Sequence, residues 1–255
     1  MSDRKTLEQE AQELLAEEKY EAAGERYLQA AKAFQRQDKH DRAAICLAAA
    51  ASTRASVLGD KTFHRVASLY EEAAQEAEIC KDLEYASMLY KFAAIAYERD
   101  YNNIAFSECF FKSREAYRQF LIQDLFHTKK TRDSVAIGFN LPFFGKRLIP
   151  LFTATFSAFL WGHGERPHRI VGFGIALILL FAGLYSFGHF LQDSAIIHPS
   201  LMQCVYYSFT CYTRIGPENL TAVGFAKVLS IIQAFIGIFT IPLYLTGLCR
   251  KYLRY

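Results

Sequence analysis

Two charges stand apart from their surroundings in the C-terminal half of this sequence. Arg214 and Glu218 lie within Thr213-Arg214-Ile215-Gly216-Pro217-Glu218-Asn219, and residues 194–213 before them carry no Asp, Glu, Lys or Arg. A charge in apolar surroundings is costly, and is kept where it is paired or where it meets water and ions. Two arrangements are open: Arg214 pairs with Glu218 and holds the loop, or one of them faces a polar pathway.

Other chemistry is hard to assemble from these residues. No paired carboxylates, Ser-His arrangement, phosphate-binding loop or metal cluster is visible, so a non-enzyme is expected and no cofactor or metal is implied. His163 and His168, on either side of Pro167, make a poor metal pair, and His40 and His64 read as surface or helix-end residues. Cys46, Cys80, Cys109, Cys204, Cys211 and Cys249 show no CxxC spacing. Helical patterning would bury the first three, so they read as small apolar fillers in a reducing compartment.

Charge divides the chain. Residues 1–133 hold 20 basic and 23 acidic side chains, whereas residues 134–255 hold 9 and 3. A charge-laced half joined to a half that avoids charge reads as a soluble domain attached to a membrane domain. The net charge of +3 carries no basic stripe with interleaved aromatics, so nucleic acid is not an expected partner. The start of the chain is polar and acidic, and no cleavable leader is expected there.

In the first half a large residue followed by paired alanines recurs as Tyr27-x-x-Ala30-Ala31, Leu47-x-x-Ala50-Ala51, Tyr70-x-x-Ala73-Ala74 and Tyr90-x-x-Ala93-Ala94. The intervals of 20, 23 and 20 residues fit one helix plus one turn. Residues three and four apart share a helical face, so each large side chain can seat against a neighbour's alanines, as in a stacked α-hairpin solenoid. Ala22-Ala23-Gly24-Glu25 through Lys39-His40-Asp41 to Ala44 resembles the soluble NSF-attachment proteins and, more loosely, the tetratricopeptide repeats. That resemblance implies a scaffold with a protein or peptide partner. The expected fold class is all-α, with a cytosolic repeat domain at 1–127.

Residues 128–162 read as a juxtamembrane linker, mixing Lys129, Lys130, Lys146 and Arg147 with Gly138, Pro142 and Gly145. Its Phe-rich end, Leu148 to Gly162, is too short to span a hydrocarbon core of about 30 Å and fits an interfacial helix. A buried helix of the soluble domain is the alternative. Two later runs are long enough to cross, Ile170–Gln192 and Val228–Cys249. Basic residues precede the first (Arg166, Arg169) and follow the second (Arg250, Lys251, Arg254), so both termini are expected in the cytosol. Ser194–Thr213, with His198, Pro199, Gln203 and several hydroxyls, is a poor lipid-facing segment. It is expected to enter the membrane and return.

A crossing helix, a re-entrant helix, a glycine-containing turn and a second crossing helix, over 163–255, resemble the two-transmembrane potassium-channel-like pore module. Tyr207-Ser208-Phe209-Thr210-Cys211-Tyr212-Thr213-Arg214-Ile215-Gly216-Pro217-Glu218-Asn219 is similar to that family's pore helix and selectivity filter. Lys227 and Gly237 match its inner-helix basic residue and hinge glycine, and Pro242 is a second candidate bending point. Gly162-His163-Gly164-Glu165-Arg166-Pro167-His168-Arg169 resembles the lead-in of bacterial members.

The resemblance implies a homotetramer in a lipid bilayer, permeated by inorganic ions. The filter departs from the family pattern, with Arg214, Pro217 and Glu218 replacing a Thr, the Tyr and the second Gly. Filter carbonyls must turn inward to replace an ion's hydration shell, and neither Pro nor Glu adopts the required φ cheaply. The sequence therefore predicts an atypical channel without conventional potassium selectivity. A non-conducting membrane scaffold is the competing expectation.

Overall fold

The computed structural model describes residues 2–57, 63–132, 141–192, 195–216 and 219–252. The chain divides into two compact units, Met1–Ala158 and Phe159–Tyr255.

Unit 1 is a succession of helices: α1 (Ser2–Ala16), α2 (Tyr20–Gln35), α3 (His40–Ala55), α4 (Phe63–Ile79), α5 (Leu83–Arg99) and α6 (Asn103–Arg132). Consecutive helices pack on one another from α1 through α6. The large-plus-paired-alanine signature falls once on each of α2 to α5, and all eight of its alanines are buried.

Four turns share one construction. Glu18, Asp38, Lys81 and Tyr101 all take positive φ, from 54° to 63°. At each, the residue's own N–H donates to the carbonyl three back, and the next N–H donates to the carbonyl five back, as in Asp38 to Gln35 and Lys39 to Phe34. This double bond pattern satisfies helix-end carbonyls that would otherwise be orphaned. Here it uses residues other than glycine.

Polar ties link α1 to α3, α2 to α4 and α4 to α6. The Arg42 guanidinium (α3) donates to Glu8 (α1) at 2.7 Å, Gln35 Nε2 (α2) to Glu76 (α4) at 2.8 Å, and Lys112 Nζ (α6) to Glu71 (α4) at 2.8 Å. His40 opens α3 with Nδ1 2.6 Å from Glu76, a helix-end role rather than a metal ligand's. Cys46 and Cys109 are buried, but Cys80 is exposed just past the end of α4, a correction to its expected burial.

Helix α7 (Leu141–Trp161) crosses the division between the units and starts earlier than the expected Leu148. Pro150 lies inside it. Ile149, Phe152, Phe156 and Phe159 are exposed at three- and four-residue spacing, which places them along one stripe of the helix. An apolar stripe of this kind suits the boundary between headgroups and acyl chains.

Unit 2 holds α8 (His168–Tyr185), β1 (His189–Gln192), β2 (Ala195–Ile197), α9 (Leu201–Thr213), β3 (Thr221–Val223) and α10 (Phe225–Tyr252). Two corrections follow. The all-α expectation fails locally, because the strands form an antiparallel sheet in the order β2-β1-β3. The first crossing ends at Tyr185 rather than Gln192. Gly188 passes so close to α10 that a Cβ there would stand 2.8 Å from the Ala226 Cβ, and the chain turns into β1. Phe190 of β1 is fully buried and meets the rings of Tyr185 and Tyr207 edge-on, which seats the sheet on the helices.

Helices α8 and α10 are long and apolar enough to cross a membrane, with apolar stretches at His168–Tyr185 and Phe225–Cys249. The 13 residues of α9 give only about 20 Å of helix, short of a crossing.

Candidate functional site

The lead-in to α8 is a left-handed turn. Gly162, His163 and Gly164 all have positive φ, at 56°, 58° and 91°, which explains both glycines of the motif. Pro167 then starts α8 with φ −61° and packs beneath Gly247 of α10.

Helix α9 is set between α8 and α10 by a buried polar network. Ser200 and Gln203 cap its start reciprocally, side chain to backbone in both directions. Gln233 of α10 is 0% exposed, and its amide nitrogen donates to Ser208 Oγ at 2.7 Å and to the Ser208 carbonyl at 3.1 Å. The Ser208 hydroxyl donates to the Ile178 carbonyl of α8 at 2.7 Å, and the Tyr185 hydroxyl donates to Gln233 Oε1 at 2.9 Å. One glutamine thus ties all three helices together. In a low-dielectric interior, every member of such a network must be satisfied for it to stabilise the packing.

Tyr212 makes the second fastening. A Cβ on Gly237 would stand 2.3 Å from the Tyr212 carbonyl oxygen, and one on Gly174 would stand 2.7 Å from its hydroxyl. Thr240 Oγ1 bonds that hydroxyl at 2.9 Å. Glycines on both long helices therefore accommodate one tyrosine of the short helix.

Beyond this clamp the backbone turns. Arg214 caps α9 with φ 64° and ψ 17°, and its N–H donates to Cys211. Gly216 has φ 81° with open space where a Cβ would go, so its conformation and not crowding accounts for the glycine. Its N–H donates back to the Thr210 carbonyl. The Thr213 hydroxyl donates to the Phe209 carbonyl at 2.9 Å and so is turned into its own helix. Arg214 and Asn219 are exposed, and Ile215 is 75% exposed.

Pro217 and Glu218 lie outside the described residues, and the pairing of Arg214 with Glu218 lies outside them too. Among the described residues Arg214 has no ion pair. A positive side chain at this helix end sits where the macrodipole is negative, so it offsets a field that would otherwise favour a cation.

An open cleft of about 500 Å³ runs beside this turn. Thr210, Arg214 and Gly216 contribute from the α9 side, and Ser230, Phe235 and Ile238 from α10. Gly237 is buried under Tyr212, whereas Pro242 is exposed and α10 continues through it. The site thus brings Thr213, Arg214 and Gly216 together, with Gly237 fixed against the same short helix. Sequence reasoning missed Tyr185, Gln233, Gly174 and Thr240. Gln233 left a signal, as the lone amide in the apolar run 228–249.

Residues 173–254, about a third of the chain, match the family model Ion_trans_2, described as "Ion channel". No curated protein matches the chain, and no solved structure matches it. The match covers α10 and the greater part of α8, the two helices able to cross a membrane, and supports an ion channel located there.

Proposed function

We propose that the chain is one subunit of a tetrameric membrane ion channel whose Thr213–Asn219 loop lines an atypical filter. The observation that carries this reading is the short helix α9, too short to span and clamped between two spanning helices through Gln233 and Tyr212. It ends in a loop that includes two residues of positive φ. One such loop cannot enclose a pathway, so four chains are placed around an axis near Gly216. Apolar residues left exposed on α10, including Ile231, Phe235 and Ile238, are surface for neighbouring subunits or lipid.

The filter is not conventionally potassium-selective. A potassium filter needs a ladder of inward carbonyls, and Arg214, Pro217 and Glu218 do not maintain it. Gly237, which the resemblance assigns as a hinge, is read instead as a packing point, leaving Pro242 as the site of bending.

Unit 1 is read as a stacked helical-hairpin scaffold of the tetratricopeptide kind, occupying about 1–127, that assembles or gates the pore and receives a protein or peptide partner. Its four like turns and its ties between alternate helices support that architecture. Residues 128–162 serve as an interfacial link to the pore module at 163–255. Both termini lie in the cytosol.

Recordings of the purified protein in planar bilayers test the function, alongside native mass spectrometry. A conducting particle of four chains is expected. A tetramer that never conducts would favour the non-conducting scaffold, and a monomer would overturn the pore.

A further inference from the structure

We propose that His189 and His198 form a two-imidazole binding site for a divalent transition-metal ion of the zinc class. The antiparallel register of β1 and β2 pairs Phe190 with Ile197 and Leu191 with Ile196. One step further along the same ladder sets His189 opposite His198. Directly opposed residues share a face and bring their Cβ atoms to about 4.5–5.5 Å. The two imidazoles do meet, with ring centroids 4.4 Å apart and planes at 82°.

Several facts suit a metal better than a packing contact. Both histidines are exposed, so the ring contact shields little apolar surface from water. Phe190, between His189 and Leu191 in sequence, points the other way into the core, which holds the strand's orientation and the histidines outward. Borderline-soft cations take neutral imidazole nitrogens at about 2.0–2.1 Å, and exposed side chains can turn one nitrogen each toward a common point by small χ rotations. Among the described residues no group of three or more His, Cys, Asp or Glu surrounds a common point, so water completes the coordination.

The site has a direct route to the helix that carries the loop. Pro199 alone separates His198 from Ser200, the residue that caps α9. A metal bridging β1 and β2 therefore braces the approach to α9. The inference is independent of conduction, and under the proposed topology the pair faces the outer solution.

Isothermal titration of the full-length detergent-purified protein with zinc chloride tests it. A saturable site of one zinc per chain is expected, lost in His189→Ala and in His198→Ala, with the double variant no weaker than either single one. An isotherm unchanged in the double variant would overturn the site, because zinc would then be held by other groups. A measurement on the unaltered chain guards against variants that misfold. Zinc should protect His189 and His198 together from a histidine-acylating reagent, read by peptide mass spectrometry. Modification of either one at the metal-free rate in saturating zinc overturns the proposal.

Discussion

Gly237 and the Tyr212 carbonyl approach so closely that a Cβ on the glycine would stand 2.3 Å from the oxygen. The obstructing atom is backbone in the last turn of α9, so no side-chain rotation relieves it. Gly237→Ala must push α9 and α10 apart, and overpacking costs typically about 1–3 kcal/mol. The expected result is a clear fall in the thermal midpoint of the detergent-purified protein, with loss of conduction. Gly172→Ala, where nothing lies within 4 Å of the added carbon, should leave the midpoint unchanged or raised. A Gly237→Ala protein of normal stability and altered gating would restore the hinge.

Gln233 offers a sharper test of the clamp. Replacing it with Leu leaves the Tyr185 hydroxyl and the Ser208 carbonyl without their amide partner. An unsatisfied buried polar group costs about 1–3 kcal/mol, so Gln233→Leu should destabilise more than Tyr185→Phe. The two changes share one hydrogen bond, and the double variant should lose less than the summed single losses. Additive midpoint shifts in a double-mutant cycle would show that the network does not hold α9.

How much of this was legible beforehand depended on the length scale of the signal. The alanine pairs and the long apolar runs spread over a dozen or more residues, and they appear as buried helix faces and membrane-length helices. The sheet was missed because its strands have 4, 3 and 3 residues, too few for alternation to register inside an apolar run. The end of α8 was missed because Gly188 is dictated by Ala226, 38 residues away in sequence. Glycine placement in α8 and α10 shows the same limit. Spacing could suggest a hinge at Gly237, but only tertiary structure reveals the tyrosine carbonyl beneath it. Cys80 failed for a local reason, since α4 ends one residue earlier and the helical pattern no longer applied.

The helical unit should weaken in alkali. Burial pushes the Cys46 thiol from 9.0 up to about 12, helped by its bond to Glu8, and burial likewise raises Cys109 to about 12, with Glu71 adding to the shift. Above pH 9.0 the unfolded chain releases these protons while the folded chain keeps them. The stability they contribute is thus complete below pH 9.0 and is lost as pH rises toward about 12. Circular-dichroism melts of the full chain should show midpoints falling from about pH 9. The fall should be shallower in Cys46→Ala/Cys109→Ala, measured against its own neutral-pH midpoint. Parallel slopes would mean that the thiols do not contribute.

Arg214 caps the C-terminal end of α9, where its charge would bear on selectivity in the proposed pore. The C-terminal end of a helix carries about half a negative charge, which at a pore would favour cations, and a guanidinium there opposes it. Rings of Arg favour anions and rings of acid favour cations, so the net preference rests on Arg214 and Glu218 together. The unaltered pore is expected to discriminate weakly between potassium and sodium. If Arg214 lines the pathway, Arg214→Gln should raise cation over anion permeability. If Glu218 lines it, Glu218→Gln should lower it. If the two residues pair away from water, either change strands a buried charge and should cost assembly roughly 3–5 kcal/mol while leaving selectivity little altered. Reversal potentials under potassium, sodium and chloride gradients separate these outcomes, with tetramer yield measured alongside. Strong selectivity of the unaltered pore for potassium over sodium would overturn the filter reading, because it requires the carbonyl ladder that Pro217 and Glu218 are argued to remove.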